Sequence, residues 1–372
     1  MSWGVYVHVP WCRARCPYCH FDIVPQAARP DADAYVARVI EEYATRAVEA
    51  PGPPDTVFFG GGTPSRLDGA AFRAILDAIG PARGAEISVE ANPEDVDADW
   101  LEGARQAGVD RVSLGVQSFV PSVARCLGRG HSAPQAEQAL ARLAEADLRS
   151  WSIDLIFAVP GQSLDDFRSD LDRVTALGVP HVSLYGLTIE PGTAFARAAA
   201  RGRQMSVDDE IWRAMYDAAT DALGDDYERY EVSTFARPGH RCVHNQLYWT
   251  DRPYLGLGPG AHGYGFDGAR CKNPAALDDW LVAPFAAGAH PTSEEAAIDQ
   301  LVGGLRFVDG LPLARLGSTG LAPAPAVVAR LIRAGGLVDR ADRLQLTDAG
   351  MPVADGIVGR LVEALQPVGS KP

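Results

Sequence analysis

The chain has 372 residues, 47% of them hydrophobic and 22% charged, a globular composition with room for one barrel-sized domain and smaller appendages. Its 34 basic residues against 48 acidic ones leave a net charge of -14, which repels phosphate backbones and anionic lipid at long range. Nucleic acid is therefore excluded as a main partner, membrane contact is expected to be peripheral at most, and with no leader-like or bilayer-length apolar run the protein is expected in the cytoplasm.

From residue 5 to about 190, short β-branched runs alternate with segments of helical period. The runs lie at 5–9, 57–59, 87–90, 112–116, 153–157 and 182–187; the helical segments lie at 34–49, 69–79, 99–107, 133–146 and 164–177. Six β/α units with helical crossovers predict an α/β architecture built on a parallel sheet, either a partial (β/α)6 TIM-like barrel or an open doubly wound sheet. In a barrel the chemistry sits on the loops that follow the strands. After residue 200 the pattern gives way to Gly/Pro-rich stretches and aromatic clusters at 227–230 and 244–264. From 296 onward the order is helix, helix (326–334), a hairpin at 336–338 and 344–346, and a last helix over 352–365, which reads as winged-helix-like. That module carries no strong basic charge, so packing or a lid is expected of it. The expected domains are 1–200, a partial barrel; 201–295, an α+β extension; and 296–372, the winged-helix-like module.

The loop after the first run carries Cys12, Cys16 and Cys19 in C-x3-C-x2-C spacing, half of the six cysteines in the chain. In a reducing compartment such a cluster points to metal or redox chemistry before a disulfide. Thiolates suit zinc and iron–sulfur centres. A structural zinc wants four closed ligands, and His20, adjacent to Cys19, is poorly placed to be the fourth. Three cysteines on a 4Fe-4S cubane leave one iron open to a small molecule.

Glu90 and Asp154 sit in apolar runs, where an unpaired carboxylate is costly; each needs a ligand or a structural arginine. The glycines at 60–62 suit either a tight turn or close approach of backbone to a ligand. Cys242, His244, Tyr248 and Trp249 suit either a haem pocket or a satisfied histidine among core aromatics. Cys126 and Cys271 have no partner spacing.

With Tyr6-Val7-His8-Val9-Pro10 before it, the cysteine spacing resembles the signature of radical S-adenosylmethionine enzymes. Further segments are similar to the oxygen-independent coproporphyrinogen III oxidase family, and within it to the HemW-type haem chaperone branch. They are Phe59-Gly60-Gly61-Gly62-Thr63-Pro64, Val89-Glu90-Ala91-Asn92-Pro93, Ser113-Leu114-Gly115-Val116-Gln117-Ser118-Phe119, Ile153-Asp154-Leu155-Ile156 with Pro160-Gly161-Gln162, and His244-Asn245 with Tyr248-Trp249. The resemblance spans nearly the whole chain and implies the radical SAM type of partial barrel. It implies that Cys12, Cys16 and Cys19 ligate a 4Fe-4S cluster whose open iron is chelated by S-adenosylmethionine. It further implies cofactor contacts at Tyr6, Tyr18, Gly61, Gly62, Thr63, Glu90, Gln117, Arg129 and Asp154, and haem contact at His244, with His262 as a further candidate.

Two departures refine this. Phe21 stands where the true decarboxylases have another cysteine, which argues against coproporphyrinogen III oxidation. His20 stands where haem-chaperone relatives usually have an acidic residue. The expected function is a haem chaperone that binds the cluster, S-adenosylmethionine and haem, and passes haem to an acceptor protein. The alternative is a radical enzyme, an oxidase or methyltransferase, acting on a porphyrin or another organic substrate.

Overall fold

The structure is a computed structural model and describes residues 2–28, 30–224 and 226–369. Six parallel strands form its centre: β1 (Gly4–Val9), β2 (Thr56–Gly61), β3 (Glu86–Ala91), β4 (Arg111–Gln117), β5 (Ser150–Phe157) and β6 (His181–Gly186). They lie side by side in chain order. A doubly wound sheet would reverse its strand order at a switch point; this one never does, so the six units wind in one sense as a partial barrel. Both faces are covered, and Val5, Val7 and Val9 of β1 and Val57 and Phe59 of β2 are fully buried.

The crossover helices Asp33–Arg46, Gly69–Ile79, Ala98–Ala107, Ala133–Glu145 and Leu164–Ala176 start and stop where the sequence signals it. Asp68 and Asp97 cap their helices through Ala71 N–H and Trp100 N–H, and Ser132 with Gln135 and Ser163 with Asp166 form capping boxes. Each helix lays an apolar stripe on the sheet, as Phe72, Ile75, Leu140, Phe167 and Leu171 show.

Chain beyond residue 200 extends both edges of the same sheet. Thr234–Ala236 pairs antiparallel with β6 and carries Glu228–Glu231 beyond it. On the far side Tyr254–Leu257 runs parallel to β1, followed by His262–Tyr264 and Arg270–Lys272, giving eleven strands in all among the described residues. The C-terminal region has helices Ser293–Arg306, Pro325–Arg333 and Ala354–Val362 around a hairpin of Leu337–Arg340 with Arg343–Leu346. No helix among the described residues is long and apolar enough to cross a membrane.

The helix Val243–Trp249 is pinned to the barrel by groups that the sequence hides in a strand. Glu86 of β3 accepts the backbone N–H of Val243 (3.0 Å) and of His244 (2.9 Å). His244 is 0% exposed: its Nδ1 is hydrogen-bonded to Thr56 Oγ1 at 2.7 Å, its Nε2 to Tyr248 Oη at 2.8 Å, and its ring stacks on Phe58 with centroids 5.1 Å apart. Burial pushes its pKa down to about 3, so it is a neutral imidazole with both nitrogens engaged. The haem contact expected of His244 is corrected accordingly: the residue joins β2 to this helix. Replacing it by alanine orphans Thr56 and Tyr248 and opens a cavity, a cost on the order of 3 kcal/mol. Thermal unfolding of the cofactor-free His244→Ala protein should show a melting temperature lower by about 4 °C; an unchanged value contradicts the assignment.

Candidate functional site

The strands β2 to β6 deliver their C-terminal ends, and the loop after β1 its cysteines, to one cavity of about 510 Å³. At its mouth the cysteine loop is held at both ends by a short parallel pairing of Trp11–Cys12 with Val24–Pro25, through Val24 N–H to Pro10 O (2.8 Å) and Gln26 N–H to Cys12 O (2.7 Å). A turn from Cys19 N–H to Cys16 O (3.1 Å) folds its tip, and Arg15 donates to the carbonyls of Phe21 and Ile23. Cys12, Cys16 and Cys19 all line the cavity. Thr63 Oγ1 donates to Cys12 Sγ at 3.3 Å, and an Arg129 guanidinium nitrogen lies 3.7 Å from Cys16 Sγ. Burial pushes the Cys12 thiol up to about 11 and raises that of Cys19, so without a metal both are neutral thiols; ligation exchanges their protons for iron. Among the described residues no three His, Cys, Asp or Glu side chains gather around a single ion-sized point. A cubane distributes its cysteines over separate irons and needs no such point.

The facing wall begins where β2 ends. Gly61 has φ +107°, and a Cβ there would lie 2.4 Å from the His8 ring; a Cβ on Gly62 would lie 2.8 Å from the Pro10 backbone. Only glycine lets these two strand ends approach, and the bare backbone is left facing the cavity. Gly61 N–H donates to Glu90 Oε2 at 3.1 Å. Asp154 of β5 accepts from Ser113 Oγ at 3.1 Å on both oxygens. Burial, then the charge of Asp154, pushes Glu90 up to about 8; burial pushes Asp154 up to about 6 against its serine donors Ser183 and Ser113. Neither makes a salt bridge among the described residues, so the structural arginine pairs that the sequence left open are not formed.

Gln117 closes β4 at φ +70°, a left-handed conformation rare outside glycine, where the register with β5 slips. Strain of this kind gathers at functional sites, and Gln117 lines the cavity. Arg129 is anchored by Gly115 O (2.7 Å) and Asn92 Oδ1, while its Nε is buried without a partner. Tyr18 lines the cavity and packs on Phe195. Tyr6 does not line it; its hydroxyl hydrogen-bonds His8 Nδ1 at 3.1 Å and its ring stacks on Phe58. His262 is exposed on the penultimate strand of the sheet, outside the cavity lining. Cys126, Cys242 and Cys271 lie outside it as well.

Sequence reasoning missed Asn92, Ser113 and Tyr185. Asn92 donates to Thr63 Oγ1 and accepts from Arg129, tying the two walls together. Ser113 was legible as a polar residue inside an apolar run, yet only the strand register brings it to Asp154. Tyr185 gave no signal beyond its place at a strand end.

The description "Radical SAM superfamily" matches residues 6–174, and "HemN C-terminal domain" matches 292–353. The chain is 38% identical over 377 residues to the haem chaperone HemW of Mycobacterium tuberculosis, covering 96% of this chain and 94% of that one. It belongs to the HemW haem chaperone family. The Escherichia coli HemW is 38% identical across 70% of this chain and 69% of its own. Escherichia coli coproporphyrinogen III oxidase (HemN) superposes with a TM-score of 0.81 at 22% identity, over 97% of this chain and 90% of that one, and shares the fold. A radical SAM protein carries a 4Fe-4S cluster and binds S-adenosylmethionine, and the HemW-family cavity described here has three thiols and two carboxylates free of salt bridges to receive them.

The carboxylates set a testable sign. Glu90 in the folded protein keeps its proton up to about pH 8, whereas its ordinary pKa is 4.5. Between those values the native state binds more protons than the unfolded chain, so this residue lowers stability as pH rises. Glu90→Gln should therefore stabilise the cofactor-free protein at pH 8.5 by on the order of 1–3 kcal/mol, with the gain fading towards pH 4.5. Calorimetry at the two pH values checks it; a variant that melts lower at pH 8.5 contradicts it.

Proposed function

We propose that this protein is a haem chaperone with a radical SAM centre: it binds a 4Fe-4S cluster, S-adenosylmethionine and haem, and hands haem to an acceptor protein. One observation carries the reading. Three cysteine thiols and two half-buried carboxylates that make no salt bridge converge on a single cavity in a chain 38% identical, nearly end to end, to a protein named haem chaperone.

In this reading Cys12, Cys16 and Cys19 hold the cluster. When bound, the cluster supplies an electron and one open iron corner for the amino and carboxylate groups of S-adenosylmethionine. The side-chain-free backbone at Gly61 and Gly62 leaves room for close approach of the methionyl end, while its N–H groups are held by Glu90 and the Val9 carbonyl. Glu90 and Asp154 supply negative charge to a cationic ligand, and losing a proton from Glu90 is the cost of receiving it near neutral pH. Arg129 keeps the Cys16 sulfur in a positive field and, through Asn92 and Thr63, fixes the Cys12 side as well. Gln117 and Tyr18 close the sides. Tyr6 acts behind the wall by orienting His8.

Phe21 in place of a further cysteine supports chaperoning over coproporphyrinogen III oxidation. We place the protein in the cytoplasm, whose reducing conditions keep three adjacent thiols available. We divide the chain into a cofactor-holding barrel up to residue 200, its edge extensions over 201–295, and a C-terminal packing module from 296. Support for the last comes from Ser293–Arg306 seated against Val243–Trp249.

Haem titrated into the anaerobically reconstituted protein should give a saturable Soret band at one haem per chain, with no porphyrin product. Failure to bind haem at micromolar concentration contradicts the chaperone reading. Porphyrin-dependent release of deoxyadenosine would point instead to a radical enzyme.

A further inference from the structure

If haem binds through an imidazole, a ring nitrogen must be able to reach its iron, and the structure narrows the choice among the eight histidines. Five are engaged and inward-facing. His8 bonds Tyr6 Oη and Asp22 O; His131 bonds Val116 O and faces Glu94; His181 bonds Tyr230 Oη; His240 bonds Ser150 Oγ; His244 bonds Thr56 and Tyr248. His290 pairs with Asp267 on the surface, and His262 sits on the penultimate strand of the sheet, outside the cavity lining. His20 alone lines the cluster cavity while being exposed, and its contact there is the edge of Phe21, with centroids 4.9 Å apart.

A second observation is independent of the first. Among the described residues only two aromatic side chains count as exposed large hydrophobics, Phe21 at 51% and Tyr185 at 46%, and both line this same cavity. Aromatic surface left open to water marks a binding site, and flat rings suit a flat ligand. Ile23 and Leu187 extend the apolar lining. The loop that presents His20 and Phe21 is fixed by Arg15 on the carbonyls of Phe21 and Ile23. That guanidinium makes no carboxylate pair among the described residues and carries charge suited to a porphyrin carboxylate.

We propose that His20 supplies an axial ligand to haem iron at the mouth of the cluster cavity, with Phe21 and Tyr185 against the porphyrin. This rests on the haem-binding reading and moves its site from the His244 helix to the cysteine loop. It also gives a role to the residue that departs from the acidic one usual after the third cysteine.

The test is a haem titration of reconstituted wild type, His20→Ala, His20→Asp and His262→Ala, followed by Soret absorbance and electron paramagnetic resonance, with cluster iron and sulfide counted in each. The expected result is at least tenfold weaker binding and loss of the imidazole-ligated spectrum in both His20 variants at unchanged cluster content. Imidazole added to His20→Ala should restore that spectrum, and His262→Ala should match wild type. If wild type binds haem and both His20 variants keep its affinity and spectrum, the His20 assignment falls while the chaperone reading stands. If wild type binds no haem, both fall.

Discussion

Two carboxylates held in a covered sheet without a salt bridge are the constraint around which this molecule is arranged. Glu90 rests on one backbone N–H and Asp154 on serine hydroxyls, so each carries a desolvation cost that its donors only partly offset. The fold tolerates this because β1 to β6 run in chain order over a large apolar core, and the strand ends that bear these groups all open on one cavity. The same cavity collects the other local costs: the left-handed Gln117, the glycine-only approach of β2 to β1, and the unpartnered Arg129 Nε. A ligand that is cationic at one end and chelates iron at the other relieves several of these at once. Binding of that ligand to the native state alone then stabilises the protein by mass action.

Much of this was legible in the sequence because it is written in local patterns. Short β-branched runs alternating with segments of helical period set the six β/α units and placed the helix starts to within a few residues. The cysteine triplet is a chemical signal that survives without any knowledge of the fold. Glu90 and Asp154 announced themselves as charges inside apolar runs, although whether an arginine answered them depended on the tertiary structure.

Other parts were not legible, for reasons of long-range pairing. Nothing local says that Tyr254–Leu257 lies parallel to β1 or that Thr234–Ala236 completes the opposite edge; those choices depend on which edges the barrel leaves free. His244 shows the same limit. Beside Cys242, Tyr248 and Trp249 its sequence context suits a haem pocket, yet Thr56 and Glu86, more than 150 positions away, make it a neutral core residue. His20 is the converse, a residue whose neighbours in sequence suggest only a poor zinc ligand and whose place in space gives it open aromatic surface.

The account stands on a three-cysteine cluster with one open iron beside Glu90 and Asp154. Mössbauer spectroscopy of anaerobically reconstituted 57Fe protein, with and without S-adenosylmethionine, reads this directly. The account predicts about four irons per chain and a shift of one iron in four on adding S-adenosylmethionine, lost in a Cys16→Ala variant. A single bound zinc, or an iron spectrum indifferent to S-adenosylmethionine, would contradict it.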